Sequence, residues 1–366
     1  MYSLPLITFT MRVPVRPSVT ELAEYKPGKL LKGAIKLSSN ENPLGSSPLA
    51  MHTVREALDS GELNLSIYPW ERNEQALRAA IAEYLAVDAA QIVIGAGIDG
   101  VLDTLVKIFL GCGDDAIIPI PTFSLYESLV RIASATPRFV PRNPARDFAI
   151  PREVIEDACN ERTRMIFLAS PNNPTGNCAS EEKVRAIAES VPKAMVVLDE
   201  AYVEFADRSL VQLVQEYENV LILRTFSKAF GLAGLRVGYA VVPVWVVGAY
   251  KKVSLPFTVN NVALIAAHAA LQDREHVRRS IELVKAGRAY LIAQLGARFT
   301  VYPSQANFLL LNVAPRTSAS VCAALEQQRI TVRDCSSFRG AGESLIRISV
   351  GTPEQNERVV EALRRL

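Results

Sequence analysis

The chain has 366 residues, 49% of them hydrophobic and 21% charged, with a formal net charge of +2. That length exceeds the ~250–300 residues at which a single core stops growing, so two lobes are expected. The composition is that of an ordinary globular protein, and a charge so near zero gives no basis for binding nucleic acid or an acidic membrane surface.

Residues 1–15 contain the apolar run Leu4-Pro-Leu-Ile-Thr-Phe9, with no positive charge before it and no small-residue cleavage site after it. A disordered or strand-like extension, or a natural start at Met11, is expected there in preference to a signal peptide. Strands are then predicted at 91–94, 116–119, 138–141, 165–169, 194–199, 220–224 and 237–242. Amphipathic helices at 101–109, 126–135 and 181–190 fall between several of them. This alternation predicts an α/β domain with a mainly parallel sheet. From about residue 262 the texture changes: one long helix over 262–295, short strands at 300–302, 308–313 and 345–350, and a last helix over 353–365. These predict a second, smaller α+β domain joined by the long helix. The most apolar stretch, 239–250, is interrupted by Pro243 and is far short of the ~20 residues that span a bilayer. The five cysteines show no C-x-x-C spacing and read as reduced thiols of a cytoplasmic protein, and the three histidines form no metal-ligand pattern.

The chemistry concentrates just past predicted strand ends, the edge at which open α/β sheets bind ligands. Lys228 lies between Ser227 and Arg236 in Arg224-Thr-Phe-Ser-Lys-Ala-Phe-Gly-Leu-Ala-Gly-Leu-Arg236. A lysine near a carbonyl forms a Schiff base, and a hydroxyl with an arginine suits a phosphate. Aldehyde and phosphate on one small molecule describe pyridoxal phosphate; a surface lysine after a strand is the alternative. Asp199 ends the apolar run Met195-Val-Val-Leu. It would pair with a pyridine nitrogen, with Tyr202 reaching the ring oxygen, or simply cap a helix. Ala169-Ser-Pro-Asn-Asn-Pro-Thr-Gly176 is a rigid turn that presents Asn173, and it is equally readable as a turn alone. Gly95-Ala-Gly-Ile-Asp-Gly100 precedes a helix and is either an anion site at backbone N–H groups or a tight turn. Phe123 is a ring-stacking or a core aromatic. Arg347 and Arg333 suit carboxylate or phosphate, with surface ion pairs as the alternative.

Taken together, Ser170-Pro-Asn-Asn-Pro-Thr-Gly176, Asp199-Glu-Ala-Tyr202 and Ser227-Lys-Ala-Phe-Gly-Leu-Ala-Gly-Leu-Arg236 resemble the fold-type I pyridoxal-phosphate enzymes. Leu37-Ser-Ser-Asn-Glu-Asn-Pro-Leu-Gly45 narrows the resemblance to the histidinol-phosphate aminotransferase family and its close relatives, from about residue 19 onward. The resemblance implies a large domain with a central, mostly parallel sheet at 46–261. It implies a discontinuous small α+β domain at 16–45 and 262–366, after an extension at 1–15. Lys228 would carry the cofactor and shuttle a proton, and Asp199 would pair with the pyridine nitrogen. Asn173 and Tyr202 would bond the ring oxygen, and Phe123 would stack on the ring. Ile98, Asp99, Thr225, Ser227 and Arg236 would complete the cofactor site, the phosphate resting on backbone at Ile98 and Asp99 with Ser227 and Arg236. Tyr68 would reach that phosphate from the partner subunit of an obligatory homodimer. Tyr25, Asn40, Tyr68, Asn173, Arg333 and Arg347 would line the substrate site.

The substrates implied are glutamate or 2-oxoglutarate and histidinol phosphate or its keto counterpart, with no metal, membrane or nucleic acid involved. An aromatic amino-acid aminotransferase and a threonine-phosphate decarboxylase share the motifs. The chain departs from the family pattern at Ile98-Asp-Gly100 and at Ile67-Tyr-Pro69 followed by Trp70, the latter beside the expected substrate site.

Overall fold

The structure, a computed structural model, describes residues 13–24, 28–29 and 31–366. Tyr25 and most of the N-terminal extension lie outside the described residues.

Seven strands form the central sheet, in the order Ile92–Gly95, Gly238–Val241, Val220–Thr225, Met195–Asp199, Thr163–Ala169, Asp115–Ile120, Thr136–Pro141. All are parallel except Gly238–Val241, which runs antiparallel to both neighbours. The two central strands are buried along their whole length. Successive residues feed opposite layers: Val196, Leu198, Val220 and Ile222 join one apolar cluster, while Met195, Val197, Leu221 and Leu223 join the other. That is the pleat at work, and it explains why these strands read as continuous apolar runs. Truncating one such leucine to alanine costs about 2–5 kcal/mol.

A second sheet of four antiparallel strands orders Arg333–Asp334, Leu345–Ser349, Phe308–Asn312 and Thr300–Val301. Ile35–Lys36 pairs in parallel with Ile330–Thr331, which ties the N-terminal segment to this half of the chain.

The single long helix expected over 262–295 is instead two, Asn261–Gln272 and Arg274–Leu295. Asp273 breaks it. Its backbone leaves the helical region (φ −81°, ψ 61°), and its carboxylate accepts from His276 N (3.2 Å) and Ser47 Oγ (2.6 Å). An aspartate that caps a new helix and is also held by a distant hydroxyl outcompetes a continuous hydrogen-bond ladder. The first of the two helices packs on Pro48–Asp59 and Glu71–Leu85, the second on Pro353–Arg364.

Beneath the sheet, Arg224 is buried between Glu200 (2.9 Å) and Glu204 (3.2 Å) and donates to Ser209 Oγ (2.7 Å). Among the described residues no helix is long and apolar enough to cross a membrane.

Candidate active site

Five parallel strands end at one edge of the central sheet, and each is followed by a candidate site residue. Ile98 and Asp99 follow Ile92–Gly95, Phe123 follows Asp115–Ile120, and Asn173 follows Thr163–Ala169. Asp199 ends its strand with Tyr202 just beyond, and Ser227 and Lys228 follow Val220–Thr225. Arg236 precedes the one antiparallel strand and so arrives at the same edge. Together with Asn40, Thr225, Arg333 and Arg347 they line a cavity of about 280 Å³. The spacing of the motifs along the sequence thus becomes proximity through sheet topology alone.

Lys228 Nζ donates to the Ser39 carbonyl (3.2 Å) and lies 5.5 Å from the centre of the Tyr202 ring. Burial, then the positive charge of Arg347, pulls its ammonium down to about 8, against the pull of Glu41. A lysine held near neutrality is a usable nucleophile and proton carrier.

Asp199 is buried, and desolvation raises its carboxyl to about 6, although Tyr126 OH (2.5 Å) and Ala201 N (3.0 Å) both donate to it. The Ala201 bond is the local turn expected of an aspartate after a strand, so the capping and cofactor readings are not exclusive. Tyr202 OH accepts from Asn40 Nδ2 (3.0 Å). Asn40 itself adopts a left-handed backbone (φ 54°), held by Ser349 Oγ accepting from its N–H (2.9 Å).

The two adjacent asparagines separate into two jobs. Asn172 is fully buried, accepts from Thr122 Oγ1 (2.7 Å) and donates to Pro121 O (3.0 Å) and Thr175 Oγ1 (2.7 Å). It fixes the turn, and Asn173 faces the cavity, its Oδ1 accepting from Arg347 Nη1. The other arm of Arg347 donates to Ser38 O (2.7 Å). Arg347 is buried, not a surface ion pair, because its strand is covered on both faces.

Also at the cavity, the helix Gly97–Phe109 begins without a side-chain cap, which leaves its first N–H groups for another acceptor. Arg236 crosses that helix start: it donates to Asp99 Oδ2 (2.9 Å) and, at 3.5 Å, to Ser227 Oγ. Glycine suits the position beneath it. Gly97 has φ +73°, and a Cβ there would stand 2.7 Å from Arg236 Nη2. Helix N-terminus, hydroxyls and guanidinium form a donor set suited to a phosphate, in the same cavity as the lysine. These residues fit pyridoxal phosphate.

The aminotransferase class I and II family matches residues 32–363. The chain belongs to this family. It is 45% identical over 369 residues to the histidinol-phosphate aminotransferase of Methanosarcina mazei, covering 98% of each chain. To that of Methanosarcina barkeri it is 43% identical over 360 residues, 95% of this chain and 96% of the relative. The crystal structure of the histidinol-phosphate aminotransferase from Clostridium acetobutylicum superposes with a TM-score of 0.82 at 25% identity, over 90% of this chain and 98% of that one.

Within this aminotransferase scaffold, one sequence expectation falls outside the cavity and one outside the described residues. Tyr68 is largely exposed, stacks on Phe257 at 4.5 Å, and is not among the residues that line the cavity. Tyr25 lies outside the described residues. Sequence reasoning missed Tyr126, Ser337 and Phe338, which also line the cavity. For Tyr126 a signal existed: it stands one helical turn after Phe123, and the two rings meet edge-on at 5.9 Å. Among the described residues no cluster of three or more His, Cys, Asp or Glu side chains is placed to hold a metal.

Proposed function

We propose that the protein is a pyridoxal-phosphate-dependent histidinol-phosphate aminotransferase that works as a cytoplasmic homodimer. It would move an amino group reversibly between glutamate/2-oxoglutarate and histidinol phosphate/imidazole acetol phosphate. The observation that carries the reading is the convergence of Lys228, Asp199, Asn173, Tyr202 and Arg347 on one cavity in a chain 45% identical to a histidinol-phosphate aminotransferase.

Bound there, the cofactor supplies an electron sink for charge developing at the substrate Cα. The protein's own part is binding, orientation and proton movement. Lys228 removes the proton from Cα and returns it on the other side of the transfer, so one amine is both base and acid. Asp199 would keep the ring nitrogen protonated, Asn173 and Tyr202 would hold the ring oxygen, and Phe123 would cover one face of the ring. The N–H groups of Ile98 and Asp99, with Thr225, Ser227 and Arg236, would hold the phosphate, helped by Tyr68 of the partner subunit. The exposure of Tyr68 on its own protomer supports that assignment.

Arg347 takes the carboxylate of glutamate, and Arg333 with Arg347 meets the phosphate of the other substrate, flanked by Asn40 and Tyr25. The packing of Asn261–Gln272 on the helices beside the central sheet favours a large domain extending to Gln272 and a small domain resuming at Arg274.

An acceptor panel tests the reading. With glutamate as donor, imidazole acetol phosphate should give 2-oxoglutarate with a kcat/KM well above that of phenylpyruvate. A preference for phenylpyruvate would make the protein an aromatic aminotransferase instead.

A further inference from the structure

Asp199 owes its geometry to a residue the reaction itself does not require. Tyr126 is almost fully buried, stacks on Phe167 at 4.9 Å with the rings 11° apart, and points its hydroxyl at Asp199 Oδ2. Behind it lies Arg142, also buried. Arg142 Nη1 donates to Phe148 O (3.0 Å), its Nη2 has no hydrogen-bond partner, and among the described residues it makes no ion pair. A buried guanidinium without a carboxylate is costly and calls for a purpose.

We propose that Tyr126 is a positioning residue for the cofactor. Through Asp199 it keeps the carboxylate ionised and aimed at the ring nitrogen, and Arg142 adds a buried positive charge on the far side. This rests on the cofactor reading above.

Desolvation drives Asp199 toward its neutral form, and a neutral acid cannot hold a pyridinium. The other charged groups facing it make matters worse, since Asp99 and Glu200 both push its carboxyl up. The opposing donors are Ala201 N on Oδ1 and Tyr126 OH on Oδ2. Tyr126 stays a phenol and a donor, because burial and the Asp199 charge raise it well above its usual value. Tyr202 also faces this group, but among the described residues its hydroxyl makes no hydrogen bond to Asp199; it accepts from Asn40 Nδ2 (3.0 Å).

The test is a titration of the apo protein with pyridoxal phosphate, followed by a pH titration of the bound cofactor's visible band. Wild type, Tyr126→Phe, Asp199→Asn and the double variant are compared. Tyr126→Phe keeps the stack on Phe167 and should bind the cofactor about tenfold or more weakly, as loss of a hydrogen bond to a charged group implies. Its band midpoint should move to higher pH, since a less charged ring lets the lysine linkage keep its proton longer. In the Asp199→Asn background the same change should alter affinity less than about twofold, the coupling expected of residues that act through one another. 3-Fluorotyrosine at position 126, a stronger donor of the same shape, should move the midpoint the opposite way. Equal affinity and midpoint in Tyr126→Phe and wild type, or an undiminished effect in the Asp199→Asn background, would overturn the inference. Wild type that fails to bind the cofactor at all would overturn the cofactor reading instead.

Discussion

Arg333 and Arg347 stand directly opposite one another in the antiparallel pair of Arg333–Asp334 and Leu345–Ser349. Like charges in that register destabilise a sheet unless an anion lies between or beside them. Both side chains line the cavity, but they are anchored differently. Arg347 is locked to Asn173 and Ser38, while Arg333 donates to Ser337 Oγ at 3.3 Å and lies 5.5 Å from the centre of the Phe338 ring.

Their different anchorage predicts different kinetics. Arg347→Ala should lower kcat/KM for glutamate and for histidinol phosphate alike, by about 10²–10³-fold, as loss of a buried charged partner does. Arg333→Ala should cost about 10–100-fold, and chiefly for the phosphate-bearing substrate. Steady-state kinetics with both donors reads the split; equal losses for Arg333→Ala would remove its role in phosphate recognition.

The lowered ammonium of Lys228 sets a pH dependence. Below about 8 the amine is mostly protonated and cannot attack an aldehyde, so the rate at which apo protein captures pyridoxal phosphate should rise with pH and level off above that value. Stopped-flow absorbance measures it. An inflection near the ordinary lysine value of 10.5 would show that neither burial nor Arg347 acts on this amine.

Asp199 trades stability for function. Its carboxyl titrates near 6 when folded against 3.8 ordinarily, so the folded state binds more protons across that interval. Stability of the apo protein should therefore fall as pH rises from about 4 to about 6 and stay lower above it. Asp199→Asn should flatten this dependence and make the apo protein more stable at pH 7 by about 1–3 kcal/mol, while weakening cofactor binding. Urea titrations at three pH values would detect it; a variant less stable than wild type at pH 7 would contradict the account.

Tyr68 offers a test of whether two subunits share each site. Lys228→Ala and Tyr68→Ala homodimers should each be impaired. Random mixing after mild dissociation should restore activity toward roughly a quarter of wild type, because half the dimers then hold one intact site. No recovery would place Tyr68 in its own protomer's chemistry or outside the chemistry altogether.

Much of this site was legible in the sequence because chemistry and topology coincide there. Apolar runs ending in Asp199, Thr225 and the Ser170–Gly176 turn mark strand tips, and parallel strands bring their tips to one edge. What escaped depends on contacts between residues far apart in the chain. The helix break at Asp273 is invisible in the periodicity, which continues through it, and needs Ser47 to be seen. The pairing of Ile35–Lys36 with Ile330–Thr331 involves strands too short to carry an alternation. Tyr126 was only half visible: its place three residues after Phe123 is a signal, but an aromatic on an apolar helix face reads as core, and its hydroxyl matters only once Asp199 is beside it.

The most direct test of the central claim is the half-reaction. Cofactor-loaded protein is mixed with histidinol phosphate alone, without a keto acid, and the visible band and the products are followed together. The account predicts stoichiometric loss of the band with one imidazole acetol phosphate formed per site, recovery of the band on adding 2-oxoglutarate, and neither change in Lys228→Ala. A band that persists with histidinol phosphate, or the same turnover in Lys228→Ala, would contradict it.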